Sequence, residues 1–405
     1  MRLAYLVHNL ADPGVAKRVR MLTACGDALT LFGFRRDDDA ADYVEGAAAI
    51  DLGRTFDADF RQRIMMVLRR AMDLPAWAPG LAGCDVIIAR NLETFFLAVL
   101  ARRRYAPCAS LVYESLDIHR LLLSKGLVGK AMRWLERMLM RRADLLIVSS
   151  PGFLREYFVP MQRLDKIETL LVENKLLALS SDDAVSLAIA EPPRPCPPWH
   201  IGWFGMIRCR KSLDYLSGLA ARRPDLLRVM IKGRPSYTEF ADFDGQVAAA
   251  PGMSFGGPYR PAELGSLYDS VHFCWAMDFF EEGGNSNWLL PNRVYEGGAY
   301  GSVPIAIDGT ETARWLQQHG IGVILRSLDD LEEFLTTLDP LQYEALKTAS
   351  ATAPRNAFVA SNQDCRRLLD ALHGARARHT RAEPPATKTP ASGRNADFQR
   401  RGRAL

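Results

Sequence analysis

The chain of 405 residues lacks long apolar segments: no run approaches the roughly 18 consecutive apolar residues that a membrane-spanning helix requires. The first nine residues hold one early arginine and no small-residue cleavage signal, so we expect no secretory peptide and a cytoplasmic location. Seven cysteines are scattered singly without a Cys-x-x-Cys pair, which argues against a disulfide framework and against structural zinc. No repeat of solenoid length is visible.

Excess positive charge is also missing from most of the chain. The net charge is +4, but residues 374–405 hold eight basic and two acidic residues, a net charge of +6, so the remainder carries −2. Because residues 1–373 carry no excess positive charge, the folded part of the chain is not expected to bind nucleic acid. The final segment has almost no large apolar side chains, and we expect residues 374–405 to be a disordered basic tail that is dispensable for folding.

Apolar residues are present in the amount that folded domains need. They make up 48% of a chain that is longer than one core usually fills, so we expect two domains. Short apolar runs alternate with helical patterns in both halves, which is typical of parallel, doubly wound α/β sheets. Five prolines among the eight residues of 191–198 favour an interdomain linker. The predicted parts are a first domain over 1–180, a linker over 181–198, a second domain over 199–355 and a closing helix over 356–373.

Two glycine-rich turns in the second half are candidate ligand sites. One predicted strand ends at Gly205 and is followed by Arg208 and Lys211. Ligands of open parallel sheets bind beyond the carboxyl ends of strands, where glycine lets the backbone approach and helix N-termini attract anions. This pattern predicts a phosphate site, and a glycine turn with solvated cations explains the spacing about equally well.

The second turn, residues 278–291, leads into a helix that starts at the Pro291-Asn292 pair. Glu296 falls on the second turn of this helix, where a carboxylate suits the two hydroxyls of a ribose. The alternative is a surface glutamate on an amphipathic helix, because glutamate is mostly exposed in proteins.

The segment from Leu290 to Ile305, LPNRVYEGGAYGSVPI, resembles the nucleotide-sugar signature of two-domain GT-B glycosyltransferases, in particular the family 4-like enzymes of bacterial polysaccharide assembly. The opening segment 8–22, the segment 141–151 and the turn 205–211 agree with that family in order and spacing. The resemblance covers about residues 1–370. It is greatest to the glycosyltransferases of succinoglycan-type exopolysaccharide synthesis.

The resemblance implies two Rossmann-like domains that face each other across a cleft, and a second domain that binds a nucleotide-diphosphate sugar, above all a UDP-sugar. We expect no further cofactor and no metal. Glu296 would hold the ribose hydroxyls, and Arg208 and Lys211 would neutralise the diphosphate. The full set of implied donor-binding residues is Gly205, Arg208, Lys211, Glu281, Glu282, Gly283, Gly284, Asn292, Arg293 and Glu296.

The sequence departs from this family at two positions. The family has two glutamates separated by seven residues, and Trp288 stands in place of the first. Candidates to replace that glutamate are Glu281, Glu282 and the backbone amides of the Gly283-Gly284 pair. Met206 stands where the family has an arginine, so Arg208 is the substitute.

In the first domain, the segment 112–120 resembles the part of the family fold that faces the cleft. It contains three catalytic candidates, Glu114, Asp117 and His119, which could bind sugar hydroxyls or accept a proton. For His119, a hydrogen-bonded structural role is the alternative. Gly14 could approach the acceptor or the donor phosphate closely, since glycine permits tight backbone approach, or it forms an ordinary turn.

The implied reaction is hexosyl transfer with retention to a lipid-linked oligosaccharide acceptor. The charge on the leaving phosphate would be stabilised by cations and by the helix N-terminus near Asn292, not by a divalent ion. The acidic cluster Asp37-Asp-Asp39 is better explained as a solvated loop than as a metal motif. Two alternatives are a nucleotide-sugar epimerase or hydrolase of the same fold, and a non-catalytic nucleotide-sugar-binding scaffold in a polysaccharide assembly complex.

The segment 127–142 predicts an amphipathic helix. Its apolar face comprises Leu127, Ala131, Trp134, Leu135 and Met138, its basic stripe comprises Lys130, Arg133, Arg137 and Arg141, and Met132, Leu139 and Met140 are expected to be exposed beside the stripe. A lipid-linked acceptor lies at the membrane, so we predict reversible, salt-sensitive binding of the first domain to the anionic inner face of the cell membrane. The alternative is an ordinary core helix with solvated cations.

Overall fold

The computed structural model describes residues 1–36, 42–56, 60–164, 166–180 and 193–382. The acidic cluster 37–39, most of the predicted linker and the last 23 residues, 383–405, lie outside this part of the chain. Within the described ranges, every helix is too short or too polar to span a bilayer.

The strands of the described residues are β1 (Arg2–Val7), β2 (Ala28–Arg35), β3 (Tyr43–Val44), β4 (Ala47–Arg54), β5 (Val86–Arg90), β6 (Ser110–Ser115), β7 (Leu145–Val148), β8 (Thr169–Leu171), β9 (Leu176–Leu177), β10 (Trp199–Ile207), β11 (Leu227–Pro235), β12 (Met253–Phe255), β13 (Phe273–Trp275), β14 (Val303–Ile307), β15 (Val323–Leu325) and β16 (Val359–Ala360).

The helices are α1 (Pro13–Thr23), α2 (Phe60–Met72), α3 (Leu74–Trp77), α4 (Asn91–Tyr105), α5 (Arg120–Leu123), α6 (Leu127–Met140), α7 (Pro151–Phe153), α8 (Arg210–Arg222), α9 (Phe243–Ala248), α10 (Leu264–Asp269), α11 (Asn285–Trp288), α12 (Asn292–Ala299), α13 (Glu311–His319), α14 (Asp330–Thr337), α15 (Pro340–Thr352) and α16 (Asn362–Ala382). Short 3₁₀ turns cover Ala78–Leu81, Tyr237–Glu239, Pro261–Glu263 and Arg355–Ala357, and a π-helical turn covers Leu154–Phe158.

The first domain is built on a sheet with the strand order β3-β4-β2-β1-β5-β6-β7-β8, in which only β3 runs antiparallel to its neighbour. Helices cover both faces, so the central strands are buried on both sides and consist almost entirely of apolar residues. Strand β1 shows this directly, because every residue from Leu3 to Val7 is buried. The parallel strands all end at one edge, where the loops after β1, β5 and β6 meet.

The second domain has a parallel sheet with the order β12-β11-β10-β13-β14-β15. Its core contains three fully buried tryptophans, Trp199, Trp203 and Trp275. Gly205 in β10 has a positive φ of 106°, and a Cβ on the neighbouring Gly233 would lie 1.8 Å from the Gly205 carbonyl oxygen. The glycine at this strand end therefore permits a close backbone approach beside the cleft. The prediction of two doubly wound domains facing each other is confirmed.

The C-terminal helix α16 returns to the first domain. Its residues Leu368, Leu369 and Leu372 pack in the same core as Leu3 and Tyr5 of β1. The chain crosses between the domains twice, and the two crossings pair in parallel as β9 and β16.

The prediction that the disordered tail starts at residue 374 is wrong for residues 374–382. Helix α16 continues to Ala382, with Ala375 fully buried and His379 only 7% exposed. These residues extend the buried face of the helix, since 368, 372, 375 and 379 follow the i, i+4, i+7, i+11 spacing. The predicted closing helix also begins later than expected, at Asn362, because strand β16 precedes it.

Candidate functional site

The carboxyl edges of the two sheets face each other across a cavity of about 570 Å³. From the first domain and the crossing segment, it is lined by residues that include His8, Asp12, Gly14, Lys17, Arg90, Asp117 and Asn174. From the second domain, the lining includes Gly205, Met206, Arg208, Tyr259, Asp278, Asn292, Arg293 and Glu296. The cavity thus brings together half of the fourteen residues that the sequence predicts for the site.

Glu296 lies on the second turn of α12 and is half-buried against the cavity. Its Oε2 accepts a hydrogen bond of 3.0 Å from the hydroxyl of Tyr268. Burial raises the pKa of this carboxyl, while Tyr268 and the charges of Lys17 and Arg293 oppose the rise. No other hydrogen bond of the described residues reaches the carboxylate, so it keeps the capacity to accept hydrogen bonds from a diol.

Arg293 sits one turn before Glu296 and is only 9% exposed. Its Nη2 donates to the carbonyl of Met277 at 3.3 Å, whereas its buried Nη1 has no hydrogen-bond partner among the described residues. Buried polar groups are nearly always satisfied, so an unsatisfied guanidinium N–H on a cavity wall indicates a site for an anionic group.

Arg208 follows the Gly205 strand end, as predicted, and lines the same cavity. Its Nη2 lies 3.4 Å from the Asp278 carboxylate, and its guanidinium lies 4.7 Å from the centre of the Phe280 ring. The side chain still keeps 36% of its surface exposed. It is held in position but remains able to bind a phosphate.

Lys211, the other predicted phosphate ligand, does not lie in this cavity. Its Nζ bonds to both carboxylate oxygens of Glu282, at 2.8 and 2.9 Å, and stacks over Phe279. It lines a separate open pocket on the outside of the second domain. The reason is local: α8 starts at Arg210, and its first turn directs Lys211 away from the strand end.

The loop 281–284 does not line the cavity either. The amide of Gly283 donates to the Asn287 side chain at 2.7 Å, and the amide of Gly284 donates to the Glu281 carbonyl at 3.1 Å. Burial raises the pKa of Glu281, and the nearby charge of Arg208 opposes the rise. The amides proposed to replace the first family glutamate are therefore already engaged within the loop.

Trp288, which stands in place of that glutamate, has a different role. Its side chain packs against the core of the first domain, and its carbonyl accepts a hydrogen bond from the Ser150 hydroxyl. A Cβ on Gly152 would lie 2.4 Å from the Trp288 carbonyl oxygen, so the two backbones are in direct contact. Position 288 is thus part of the contact between the domains.

The first-domain wall carries a His8-Asp12 pair, with Nε2 and Oδ2 3.2 Å apart. Asp12 also caps α1, since its Oδ1 accepts from the amide of Gly14 at 2.6 Å. Burial would raise the pKa of Asp12, but the hydrogen bond and charge of His8 hold it well below its usual value. The Nδ1 of His8 is buried and has no hydrogen-bond partner within the described ranges. Gly14 lines the cavity here, as predicted.

Glu114 cannot contact a substrate. It lies inside β6 with no exposed surface, and its carboxylate pairs with Arg18 at 2.7 Å and Arg90 at 2.9 Å and accepts from the Tyr5 hydroxyl. Burial would raise its pKa, but the charges of Arg90 and Arg18 keep it below the usual value. The prediction of a catalytic role for Glu114 is corrected to a structural one, because all its capacity is used inside the sheet.

Of the other two catalytic candidates, only Asp117 lines the cavity. Its Oδ1 accepts from the side-chain amide of Asn285 across the cleft at 3.3 Å. Desolvation within the cleft raises the pKa of Asp117, and the charge of Arg208 opposes the rise. His119 caps α5 through a 3.3 Å bond from the amide of Leu121. The structural alternative for His119 is therefore the one that the geometry supports.

Comparison with known proteins agrees with this arrangement. The sequence family described as the glycosyl transferase 4-like domain matches residues 1–173. The chain is 43% identical over 379 residues to the succinoglycan biosynthesis protein ExoL of Rhizobium meliloti (strain 1021), across 92% of this chain and 93% of that protein. The chain belongs to this glycosyltransferase 4-like family.

Solved structures establish the fold of this family member as GT-B. Sucrose-phosphate synthase from Thermosynechococcus elongatus superposes with a TM-score of 0.70 at 14% identity, over 93% of this chain and 100% of that chain. Anabaena Alr3699/HepE in complex with UDP-glucose superposes with a TM-score of 0.65 at 14% identity, over 92% and 100%.

Among the cations of the cleft that sequence reasoning missed, Lys17 lies opposite the predicted donor site. Lys17 of α1 donates to the carbonyls of Asn174 and Lys175 at the first crossing, both at 3.0 Å. Burial and the charge of Arg18 lower its pKa to about 8, while Glu296 on the opposite wall acts in the other direction. The available signal was its position one turn after Gly14, which places both residues on the same face of α1.

Proposed function

We propose that the protein transfers a hexose from a UDP-sugar to a lipid-linked oligosaccharide in bacterial exopolysaccharide synthesis. The observation that carries this proposal is the interdomain cavity that unites Glu296 with the cations Arg208 and Arg293. The proposal draws support from the relative named for succinoglycan biosynthesis and from structures of Alr3699/HepE with UDP and with UDP-glucose.

The second domain would hold the donor. Glu296 binds the ribose hydroxyls, and Arg208 with the unpartnered Nη1 of Arg293 binds the diphosphate. Negative charge grows on the leaving phosphate as the anomeric bond breaks, so fixed cations at that point stabilise the transition state more than the ground state. The amino end of α12, at Asn292, faces the same cavity and adds its partial positive charge.

The first domain would hold the acceptor. His8 is oriented by its contact with Asp12, and Asp117 lies in the same cavity, so these side chains replace Glu114 and His119 as candidates for binding or deprotonating the acceptor hydroxyl. Transfer occurs with retention, as the family resemblance implies, and the cations of the cleft act on the leaving phosphate in place of a metal ion. The anomeric configuration of the product by NMR, and turnover in the presence of EDTA, test these two points.

Helix α6 supports a membrane-bound acceptor. Leu127, Val128, Trp134 and Met138 are 83%, 61%, 61% and 39% exposed, and with exposed Ala131 they form a surface that we call the α6 ridge. The expectation that Leu139 and Met140 are exposed is wrong, since both are buried.

The predicted basic stripe also needs correction. Arg133 donates to the carbonyls of Leu122 and Ser124, and Arg137 donates to the Met161 carbonyl, so both are engaged in the fold. We propose that the α6 ridge enters the interface of an anionic membrane, with Lys130 and Arg141 beside it.

A donor panel tests the activity. UDP-, GDP-, ADP- and dTDP-sugars are compared by thermal shift, since a ligand that binds only the folded state raises the melting temperature. We expect stabilisation by a UDP-sugar and a transfer product only when acceptor is added. Conversion of the donor without acceptor would indicate the epimerase or hydrolase alternative, and binding without turnover on any lipid-linked acceptor would indicate the scaffold.

Co-sedimentation with anionic and neutral vesicles at low and high salt tests the membrane contact. The variant Leu127→Ser/Trp134→Ser should lose binding to anionic vesicles. Leu341→Ser/Tyr237→Ser, which removes two apolar side chains of similar exposure from the second domain, is the matched control. Equal partitioning onto both lipid types, or no loss in the ridge variant, would contradict the contact.

A further inference from the structure

A second cavity of the first domain, of about 370 Å³, is lined by four arginines. Arg102 and Arg103 lie at the end of α4, and Arg141 and Arg142 follow the end of α6. Both helices end just before strands β6 and β7 begin, so this cavity lies at the amino edge of the sheet, opposite the interdomain cleft. We call it the arginine pocket.

Among the described residues, the wall of the arginine pocket contains one carboxylate, and that carboxylate is already engaged. The Oδ2 of Asp144 accepts from the Leu111 amide at 2.8 Å, and its Oδ1 lies 3.2 Å from the Nδ1 of His379. The other ring nitrogen of His379 contacts the Nη2 of Arg102 at 2.9 Å. Asp144 and Arg102 thus form part of the fold, and the terminal turns of α16 complete the wall.

The other three arginines retain their binding capacity. Among the described residues, no ion pair or side-chain hydrogen bond engages Arg103, Arg141 or Arg142, and all three are exposed. Three guanidinium groups around a concave surface repel one another unless an anion lies between them. The planar fork of arginine matches the oxygens of a phosphate, which makes phosphate the ligand class that fits.

The location of the pocket indicates which phosphate it binds. Arg141 and Arg142 come one turn after Met138, the last residue of the α6 ridge, and continue the direction of that exposed face. The helix has 14 residues and is therefore about 21 Å long, so one flank of the domain offers an apolar ridge with a cationic pocket at its end. A membrane surface presents apolar chains and phosphates in that same arrangement.

We propose that the arginine pocket binds the phosphate of an anionic membrane lipid while the α6 ridge lies in the interface. This inference rests on the membrane contact in the proposed function and adds a specific headgroup site to it. Residues 383–405, which lie outside the described part of the chain, carry five basic and two acidic residues.

The test uses the full chain and vesicles of phosphatidylglycerol with phosphatidylcholine, or of phosphatidylcholine alone. Arg103→Gln/Arg141→Gln/Arg142→Gln should bind the anionic vesicles about tenfold or more weakly than the unaltered protein, since each cation near an anionic surface contributes measurably. Donor binding and transfer to a soluble acceptor should not change. The matched control, Arg228→Gln/Arg326→Gln/Arg355→Gln, removes three exposed cations from outside the pocket and should bind within about twofold of the unaltered protein.

Three outcomes would overturn the proposal. An equal loss in both triple variants would show diffuse attraction instead of a site. A lower melting temperature with unchanged vesicle binding would assign the arginines to stabilising the ends of α4 and α6. The third outcome concerns inorganic phosphate, whose binding to the donor-saturated protein is measured by calorimetry. The pocket would be assigned to a free phosphate if the arginine-pocket triple variant abolished this binding and if phosphate did not compete with vesicles at constant ionic strength.

The ridge variant separates this proposal from the one on which it rests. If Leu127→Ser/Trp134→Ser lost vesicle binding while the arginine-pocket triple variant kept full binding, the headgroup site would be contradicted and the membrane contact would stand. Full binding in both variants would contradict the membrane contact as well.

Discussion

The two walls of the interdomain cleft use buried charge differently. In the first domain, the Glu114 carboxylate is enclosed by Arg18 and Arg90, and its capacity to accept hydrogen bonds is used within the fold. In the second domain, Arg293 is nearly as buried but keeps an N–H without a partner, and Arg208 keeps part of its surface exposed. A charge whose capacity is used inside the protein stabilises the fold, whereas one with capacity to spare on a cavity wall is available to a ligand.

The largest expected effect is on stability, at the Glu114 cluster of the first domain, where the charges are paired within the fold. Glu114→Ala should lower the free energy of unfolding by about 3–5 kcal/mol, because it leaves two buried arginines without their counter-ion. Urea denaturation measures this loss. The control Glu282→Ala breaks an exposed pair with Lys211 and should lower stability by less than about 1 kcal/mol. A fully stable Glu114→Ala protein without transfer activity would instead restore Glu114 as a catalytic residue.

The next effect concerns the donor. Glu296→Ala should leave the fold intact and weaken donor binding by about 2–4 kcal/mol, because the ribose hydroxyls lose a half-buried charged acceptor. Titration calorimetry with the best donor from the panel gives the value. Tyr268→Phe removes only the hydroxyl that contacts Glu296, so its effect should be smaller. Unchanged donor affinity in a folded Glu296→Ala protein would contradict the assignment of Glu296 to the ribose hydroxyls.

Arg293→Met sharpens the comparison between the walls. We expect donor binding to weaken by about 1.5–3 kcal/mol, with the loss seen for the nucleoside diphosphate and absent for the nucleoside alone. Stability without ligand should fall far less than in Glu114→Ala, since the guanidinium makes one long hydrogen bond to the Met277 carbonyl and its Nη1 is unsatisfied in the fold. Arg210→Met, whose guanidinium bonds to the Glu239 carbonyl outside the cavity, is the control. Equal weakening for nucleoside and diphosphate would place Arg293 away from the phosphates.

The smallest effect is a pH dependence. The pKa of Lys17 is lowered to about 8, so the side chain loses its charge between pH 7 and 9, below the usual range for lysine. Loss of a cation beside an anionic ligand weakens binding, and donor affinity should therefore fall a few-fold over that interval. A nucleotide-sugar is a suitable probe because the charge of its diphosphate is constant there. The donor affinity of Lys17→Met should be constant between pH 7 and 9. If the affinity of this variant fell with pH as steeply as that of the unaltered protein, Lys17 would be excluded as the titrating group.

These contrasts also show what could be predicted from the sequence. The alternation of strands and helices was enough for the fold class, and the LPNRVYEGG segment located Glu296 and Arg293 on the helix that borders the cavity. Gly14, Asp117 and Arg208 also line the cavity, because loops at the carboxyl ends of parallel strands converge. Their roles in binding remain predictions.

The errors come from information that a linear pattern does not contain. Lys211 lies three residues after Arg208, but the start of α8 directs it outward. Glu114 looked like a polar residue near a strand end, and its partner Arg18 is 96 residues away in the sequence. The end of α16 was missed because alanine and histidine give a weak apolar signal, although their spacing was helical.

The return of α16 to the first domain has a consequence for biosynthesis. The apolar face formed by Leu3, Tyr5 and Val15 is covered by Leu368 and Leu372, which the ribosome adds after the whole second domain. Nascent domains generally fold in order of synthesis. During translation, however, one side of the first-domain core remains exposed to solvent until α16 has been synthesised. A fragment that ends near residue 173 would preserve the eight strands and still expose this face to aggregation or to chaperones.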